Sequence, residues 1–190
     1  MKYELLGWPP DGPKLRLDHE RFSYAGKFVM TNTGKAVARD ERGTIVGAVA
    51  FNEDRTDEGT LWLRYVTVAG DRRGNGIGPA LVRHVREHAT ERGYDRLRIA
   101  VNNPFAYEAL YRAGFGYADE TTGIAELILE HPDPLGESSD ELSSRDRYQA
   151  GLDEFRDRDL SSEEVDFLES RADRGPPERD RTTNEQPRDE

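Results

Sequence analysis

The stretch Thr60–Gly78, TLWLRYVTVAGDRRGNGIG, changes character twice within one short span. Its first half, Thr60–Val68, is β-branched and aromatic, the composition of a strand. Its second half sets glycines at positions 74, 76 and 78 behind Arg72 and Arg73. From Ile77 the period becomes helical: Ile77, Leu81, Val82, Val85 and Ala89 line one face, Arg83, Arg86, Glu87 and Glu91 the other, and the helix stops at Gly93. Strand, glycine-rich turn and helix together outline an anion cradle. Glycines let the backbone turn its N–H groups inward, and the helix start adds unpaired amides and the positive end of a dipole. Arg72 or Arg73 can add a charge-assisted contact to the same anion. A turn of this composition elsewhere would be an ordinary surface connection; the flanking strand and helix give this one its meaning.

Two common phosphate loops are excluded by the residues present. No Gly-Lys-Ser/Thr ending follows the glycines, so a nucleoside triphosphatase loop is absent. A dinucleotide fold wants G-x-G-x-x-G at its first strand-helix turn, whereas the spacing here is G-x-G-x-G and strands precede it.

Upstream, Lys35–Arg39 and Thr44–Asn52 read as an antiparallel hairpin about the Asp40–Gly43 turn. Before them, Leu15–Phe22 (LRLDHERF) alternates apolar and polar residues and predicts a first strand, with Ala25–Gly34 as a short connector. Downstream, Leu97–Val101 predicts a buried strand that can lie parallel to Thr60–Val68. Asn102-Asn103-Pro104 then opens a helix to Ala113, with Pro104 at its first position and Gly114 as its stop. Ile124–Glu130 predicts a closing strand.

Val66-Thr67-Val68 followed by Arg73-Gly74-Asn75-Gly76-Ile77-Gly78 resembles the acetyl-coenzyme A signature of the GNAT N-acetyltransferase family, R/Q-x-x-G-x-G/A after a strand. A second block, Asn103-Pro104-x-Ala106, Leu110-Tyr111 and Gly114-Phe115, is similar to the family's N-x-x-A-x-x-L-Y-x-x-x-G-F helix. The resemblance covers roughly residues 15–130. It implies an α/β fold, a mixed and strongly curved sheet flanked by helices, and acetyl-CoA as acetyl donor. It also implies that Val66 and Val68 pair with the pantetheine arm, that the amides from Arg73 to Gly78 hold the pyrophosphate, and that Asn103 helps to hold the arm. An acceptor amine then attacks the thioester directly, which requires a neutral amine, a polarised carbonyl and a proton for the departing thiolate. The Val68 amide is the candidate for polarisation.

The second block departs from the family pattern at the tyrosine that often protonates the thiolate. That tyrosine stands four positions before the Gly-Phe glycine; Tyr111 stands three before Gly114, and Leu110 occupies the matching position. Three readings stand: a tightened helix end brings Tyr111 to the sulfur, Tyr107 one turn earlier supplies the hydroxyl, or Tyr111 only packs. No carboxylate lies in Thr60–Val68 to act as general base, and Glu53, Asp54 and Glu58 read as a solvated loop. Where the family has two helices after its first strand, only Ser23–Gly34 is available here, which predicts an open acceptor side with Tyr24, Phe28 and Trp62 as groove or core residues.

Composition bounds the remaining functions. The 190 residues suit one domain with a remainder, and no apolar run approaches the roughly 20 residues of a membrane span. With no signal-peptide pattern, a cytoplasmic location is expected. Zero cysteines exclude thiolate chemistry, and His84 and His88, four apart on the helix, have no third metal ligand in view; no metal is expected.

The net charge of −11 resides almost wholly in one segment. Residues 1–131 hold 19 acidic and 18 basic side chains, and residues 132–190 hold 19 and 9. The expected organisation is therefore an acetyltransferase-like domain over 1–131 and an acidic, partly helical or disordered tail over 132–190. Helices are expected at Ser144–Arg156 and Ser162–Ala172, the second with Ser161 and Glu164 in capping-box spacing, and disorder from Arg174. The acidic balance argues against nucleic acid and membrane as partners, while a second copy of the chain is a candidate one. The expected activity is acetyl transfer from acetyl-CoA to a primary amine, small or protein-borne. The rivals are a catalytically weak acyl-CoA binding or sensing module and an interaction protein acting through its tail.

Overall fold

A computed structural model describes residues 1–136 and 141–179. Its strands are β1 (Lys2–Gly7), β2 (Gly34–Arg39), β3 (Ile45–Glu53), β4 (Thr60–Val68), β5 (Arg96–Val101), β6 (Gly116–Thr121) and β7 (Leu127–His131). They form one sheet in the order β1-β2-β3-β4-β5-β7-β6, antiparallel throughout except for the β4–β5 pair. The helices are α1 (Ile77–Glu91), α2 (Pro104–Arg112), α3 (Glu141–Arg156) and α4 (Ser162–Ser170). None of them is long and apolar enough to cross a membrane.

The apolar face of α1, with Leu81, Val82, Val85 and Ala89 buried, lies over Ala36, Val49, Phe51, Leu61 and Leu63 of the sheet in one cluster that also takes in α2. Burying each of the larger of these side chains contributes about 1.5–3 kcal/mol. Gly93, at φ 84°, ends α1 in the left-handed conformation usual just past a helix. The opposite face, over Val37, Ala48 and Ala50, is covered by Leu15, Leu17 and Phe28 from the β1–β2 connection. That connection contains no α-helix, only a 3-10 turn at Ala25–Val29.

The sheet corrects two readings of the chain ends. Leu15–Phe22 is not a strand: Leu15 N–H bonds Phe28 O at 3.0 Å, and Arg21 and Phe22 N–H both return to Asp18 O in a turn. Its alternation arises because Leu15, Leu17 and Phe22 are pressed on the sheet without joining its ladder. The first strand is Lys2–Gly7, so the β1–β2 connection is residues 8–33, longer than the short stretch anticipated. At the other end, Ile124–Ala125 belongs to a turn closed by Thr122 N–H to Glu126 O at 2.8 Å, and the strand starts at Leu127. Its partner β6 was not anticipated.

The segment after residue 131 contributes to the main core. Tyr148, Leu152 and Phe155 of α3 and Leu168 of α4 are buried in the same cluster as α1 and α2. The predicted capping box of α4 is present, Ser161 accepting from Glu164 N–H and Glu164 from Ser161 N–H. Glu108 of α2, buried, receives Arg171, Arg112 and the Tyr148 hydroxyl on its carboxylate, which ties α2 to both terminal helices. Of the stretch expected to be disordered, 174–179 is described, without helix or strand, and 180–190 lies outside the described residues.

Candidate active site

The site begins with a defect in the ladder. Pairing of β4 with β5 runs from Thr60↔Arg96 to Leu63↔Ile99 and stops. On the other side of β4, Ala50 faces Tyr65 and Phe51 faces Leu63, so Arg64 is an extra residue, a bulge that bends the strand. Beyond it, Tyr65–Val68 is paired only to β3, and Ala100–Val101 only to β7. The two parallel strands splay and leave roughly 16 Å of unpaired β4 edge. Among the described residues its amides and carbonyls have no strand partner on that side, and only the Val68 carbonyl takes a side chain, that of Arg73. Val66 and Val68 stand on this edge.

The glycine turn closes one end of the opening. Gly74 and Gly76 have φ of 79° and 70°, and a Cβ on either would meet nothing within 4 Å. Glycine is needed there for backbone conformation, since an L side chain in that region costs about 1–2 kcal/mol. Asn75 donates from Nδ2 to the carbonyls of Arg72 and Arg73, both at 3.1 Å, and so holds the turn from within. Gly76 is the N-cap of α1 without a side-chain cap, and no acidic residue occupies the first turn. The amides at this end form the positive end of the helix dipole, with no acidic side chain in the first turn to cap them. Ile77 is buried against Ala38 and Val46, which anchors the helix start, while Gly78 has ordinary backbone and a Cβ there would meet Val68 Cγ2 at an ordinary 3.7 Å. Arg73 donates to Ser23 Oγ at 2.9 Å and to Val68 O at 3.4 Å, bracing turn, β4 and the β1–β2 connection together.

At the far side, Asn103 is the N-cap of α2, its Oδ1 accepting Ala106 N–H at 2.8 Å, with Pro104 next at the first helical position. Its Nδ2 donates to Asn102 Oδ1 at 3.2 Å, and Asn102 Nδ2 donates to the Tyr24 hydroxyl at 3.4 Å. Tyr24 reaches across the opening, its ring packed on Tyr65 of β4 at a centroid distance of 5.8 Å. It is half exposed and has φ 60°, ψ 18°, a left-handed conformation that bulky residues avoid. Of the other groove candidates, Phe28 is fully buried, and Trp62 is flanked by the guanidiniums of Arg64 and Arg98 at 5.0 and 5.2 Å while donating to Asp54.

The coenzyme residues read from the sequence thus gather around one opening, but the two tyrosines of α2 point elsewhere. Tyr107 is fully buried and Tyr111 is 5% exposed. The Tyr107 hydroxyl donates to Tyr148 O at 3.2 Å, and the Tyr111 hydroxyl accepts Tyr117 N–H at 3.0 Å. Both rings pack on Tyr148 of α3, at 5.6 and 4.9 Å. Burial pushes the Tyr111 hydroxyl up to about 12 against the lowering effect of its hydrogen bonds, and raises Tyr107 well above the ordinary range. The one-residue offset from the family spacing turns Tyr111 about 100° around the helix from Leu110, into the α2–α3 interface.

The acidic candidates for a base are engaged or solvated. Asp54 accepts from Thr56 N–H, the Thr56 hydroxyl, Trp62 Nε1–H and Asp57 N–H, which hold its carboxyl well below the usual range. Glu53 accepts the Tyr94 hydroxyl at 2.7 Å, and Glu58 is exposed. His84 and His88 meet edge to face at 4.7 Å, with Tyr3 against the first and Glu91 beside the second.

A model of the acetyltransferase (GNAT) family matches residues 3–117. Among solved structures, an IAA acetyltransferase from Bacillus cereus superposes with a TM-score of 0.51 at 22% identity, covering 68% of this chain and 97% of its own, a likeness of fold. Nourseothricin acetyltransferase is 28% identical over 54% of this chain and 66% of its own, with a TM-score of 0.46. The ribosomal-protein-alanine N-acetyltransferase from Brucella melitensis is 24% identical over 52% and 67%, also with a TM-score of 0.46. The chain spans about two thirds of the length of these last two. No curated protein matches it.

Proposed function

Because the chain belongs to the acetyltransferase (GNAT) family, whose members are acetyl-CoA-dependent acyltransferases, we propose that it transfers acetyl from acetyl-CoA to a primary amine by direct attack. The observation that carries this reading is the joint presence of an unpaired β4 edge at Arg64–Val68 and an uncapped helix start behind Gly74 and Gly76. An extended pantetheine arm is about as long as that edge and can take up its amides and carbonyls. The pyrophosphate then falls on the amides between Arg73 and Gly78, with Arg72 and Arg73 to offset its charge.

Chemistry follows from the same layout. Negative charge grows on the thioester oxygen as nitrogen attacks carbon; Val68 lies at the pyrophosphate end of the edge, so the amides toward its Arg64 end, rather than that of Val68, are the candidate donors to that oxygen. Asn103, as cap of α2, fixes the wall of the opening beside the reacting end. With Asp54 held as a carboxylate by four donors, the amine reaches the site neutral or sheds its proton to water. An amine on an extended or protein-borne chain suits an acceptor side bordered by irregular chain and one 3-10 turn.

The burial of the Tyr107 and Tyr111 hydroxyls favours one second reading, an acyl-CoA binding module with weak chemistry. One experiment separates the two: thiol release from acetyl-CoA by the full chain across a panel of small amines and lysyl peptides, with the acetylated product identified by mass. Amine-dependent release supports the transferase. Tight binding without release across the panel supports the module.

A further inference from the structure

We propose that Tyr24, from the β1–β2 connection, is the proton donor to the departing thiolate, taking the part that the α2 tyrosines cannot play. This rests on the acetyl-CoA reading above. With the pyrophosphate at Arg73–Gly78 and the arm along Val68 to Arg64, the sulfur falls toward the inner end of the opening, where β4 and β5 part after Leu63 and Ile99. Tyr24 crosses the opening from Tyr65, near that end of β4, to Asn102, three residues past the last residue of β5 paired to β4. Its ring rests on Tyr65 of the free β4 edge and its hydroxyl lies 3.4 Å from Asn102 Nδ2, directly after β5. Asn102 donates to the phenol oxygen, so the phenol keeps its own proton for an acceptor in the opening.

Three further facts agree. Tyr24 is half exposed, as a residue that meets substrate must be, whereas Tyr107 and Tyr111 are buried with their hydroxyls bound inside. Its left-handed backbone is held by neighbours on both sides: Ser23 takes the Arg73 guanidinium, and Phe28 at the end of the 3-10 turn packs on the same Tyr65 ring. Backbone strain of this kind is often found beside functional clefts. Arg73, finally, links the connection that carries Tyr24 to the pyrophosphate turn, so coenzyme and donor are positioned by one brace.

The amine lone pair forms the N–C bond, the C–S bond breaks with its electron pair on sulfur, and sulfur takes the Tyr24 hydroxyl proton. The phenolate is then reprotonated through water by the proton that the attacking nitrogen sheds.

The test uses the product, coenzyme A, whose thiol is the only one in the sample because the chain has no cysteine. Thiolate absorbance of the complex of the full chain with coenzyme A is followed against pH for wild type, Tyr24→Phe and Tyr111→Phe, with affinity measured in parallel. A hydroxyl that donates to the sulfur lowers the thiol's pKa. Tyr24→Phe is therefore expected to raise it by about one unit, roughly tenfold less thiolate at a pH below both values, with affinity changed less than about threefold. Tyr111→Phe is expected to leave it unchanged. Equal thiol pKa values in wild type and Tyr24→Phe, or the shift in Tyr111→Phe instead, would overturn the assignment while leaving the coenzyme reading intact. Failure of wild type to bind coenzyme A would overturn both.

Discussion

Arg171, just past α4, holds the buried carboxylate of Glu108 on α2 at both oxygens, with Nη2 3.0 Å from Oε1 and Nε on Oε2. Burial alone would raise Glu108, but Arg171 and Arg112 outweigh it and keep its carboxyl below the usual range. A link spanning 63 residues of sequence therefore makes the C-terminal helices part of the folded unit. Arg171→Ala leaves that buried charge with Arg112 and the Tyr148 hydroxyl and is expected to cost about 2–4 kcal/mol, read as a lower denaturation midpoint. An unchanged midpoint would mean that α4 is only loosely applied.

The α3–α2 approach is as close as backbone allows at Gly151. A Cβ there would lie 2.5 Å from Cζ and 2.8 Å from Cε2 of the buried Tyr107 ring. Gly151→Ala should thus destabilise by about 1–3 kcal/mol, against the usual helix preference for alanine. Thermal unfolding checks it: a rise in Tm would show that Tyr107 has room to move.

His131 gives the acid side of the stability curve. Burial first, then the charges of Arg86 and Arg179, press its pKa down to about 4 from an ordinary 6.5, and Arg86 Nη1 sits 3.2 Å from its Nε2. The unfolded chain binds this proton more readily, so stability is lost as pH falls from about 6.5 to about 4. Allowing for partial exposure, the loss from this group is about 2 kcal/mol. Denaturant titrations of wild type and His131→Gln between those pH values should show a shallower slope for the variant; parallel curves would locate the acid sensitivity elsewhere.

In the turn itself, Gly76→Ala meets open space but φ 70°, so it should still fold, about 1–2 kcal/mol less stable, and bind acetyl-CoA at least about tenfold more weakly. Gly78→Ala, with ordinary backbone, separates conformation from contact: stability should hold, and weaker binding would report close approach of the coenzyme to that position. Undiminished affinity in Gly76→Ala would mean that the turn does not cradle the pyrophosphate.

How far these features could be read in advance depended on the range of the interaction that creates them. Strands β2 to β5 and helices α1 and α2 follow from periodicity and from Gly93, Pro104 and Gly114, all local signals. Asn103 was legible as part of a motif, and its capping bond to Ala106 explains why that residue type stands there. Leu15–Phe22 misled because alternation reports contact with a sheet face, which these residues have, and not membership of the ladder. β6, GYADET, has only its first two residues buried, too few to set a period. The burial of Tyr107 and Tyr111 depends on Tyr148, some forty residues on, and the reach of Tyr24 depends on Asn102, 78 residues away. No local pattern encodes either.

Calorimetric titration of the full chain with acetyl-CoA, in low and high salt, tests whether the β4–β5 opening and its glycine turn hold the coenzyme. Micromolar, one-to-one binding that is weakened in Gly76→Ala is the predicted result. Folded wild-type protein that gives no binding in either salt would contradict it, and the opening would then be a feature of the fold without its ligand.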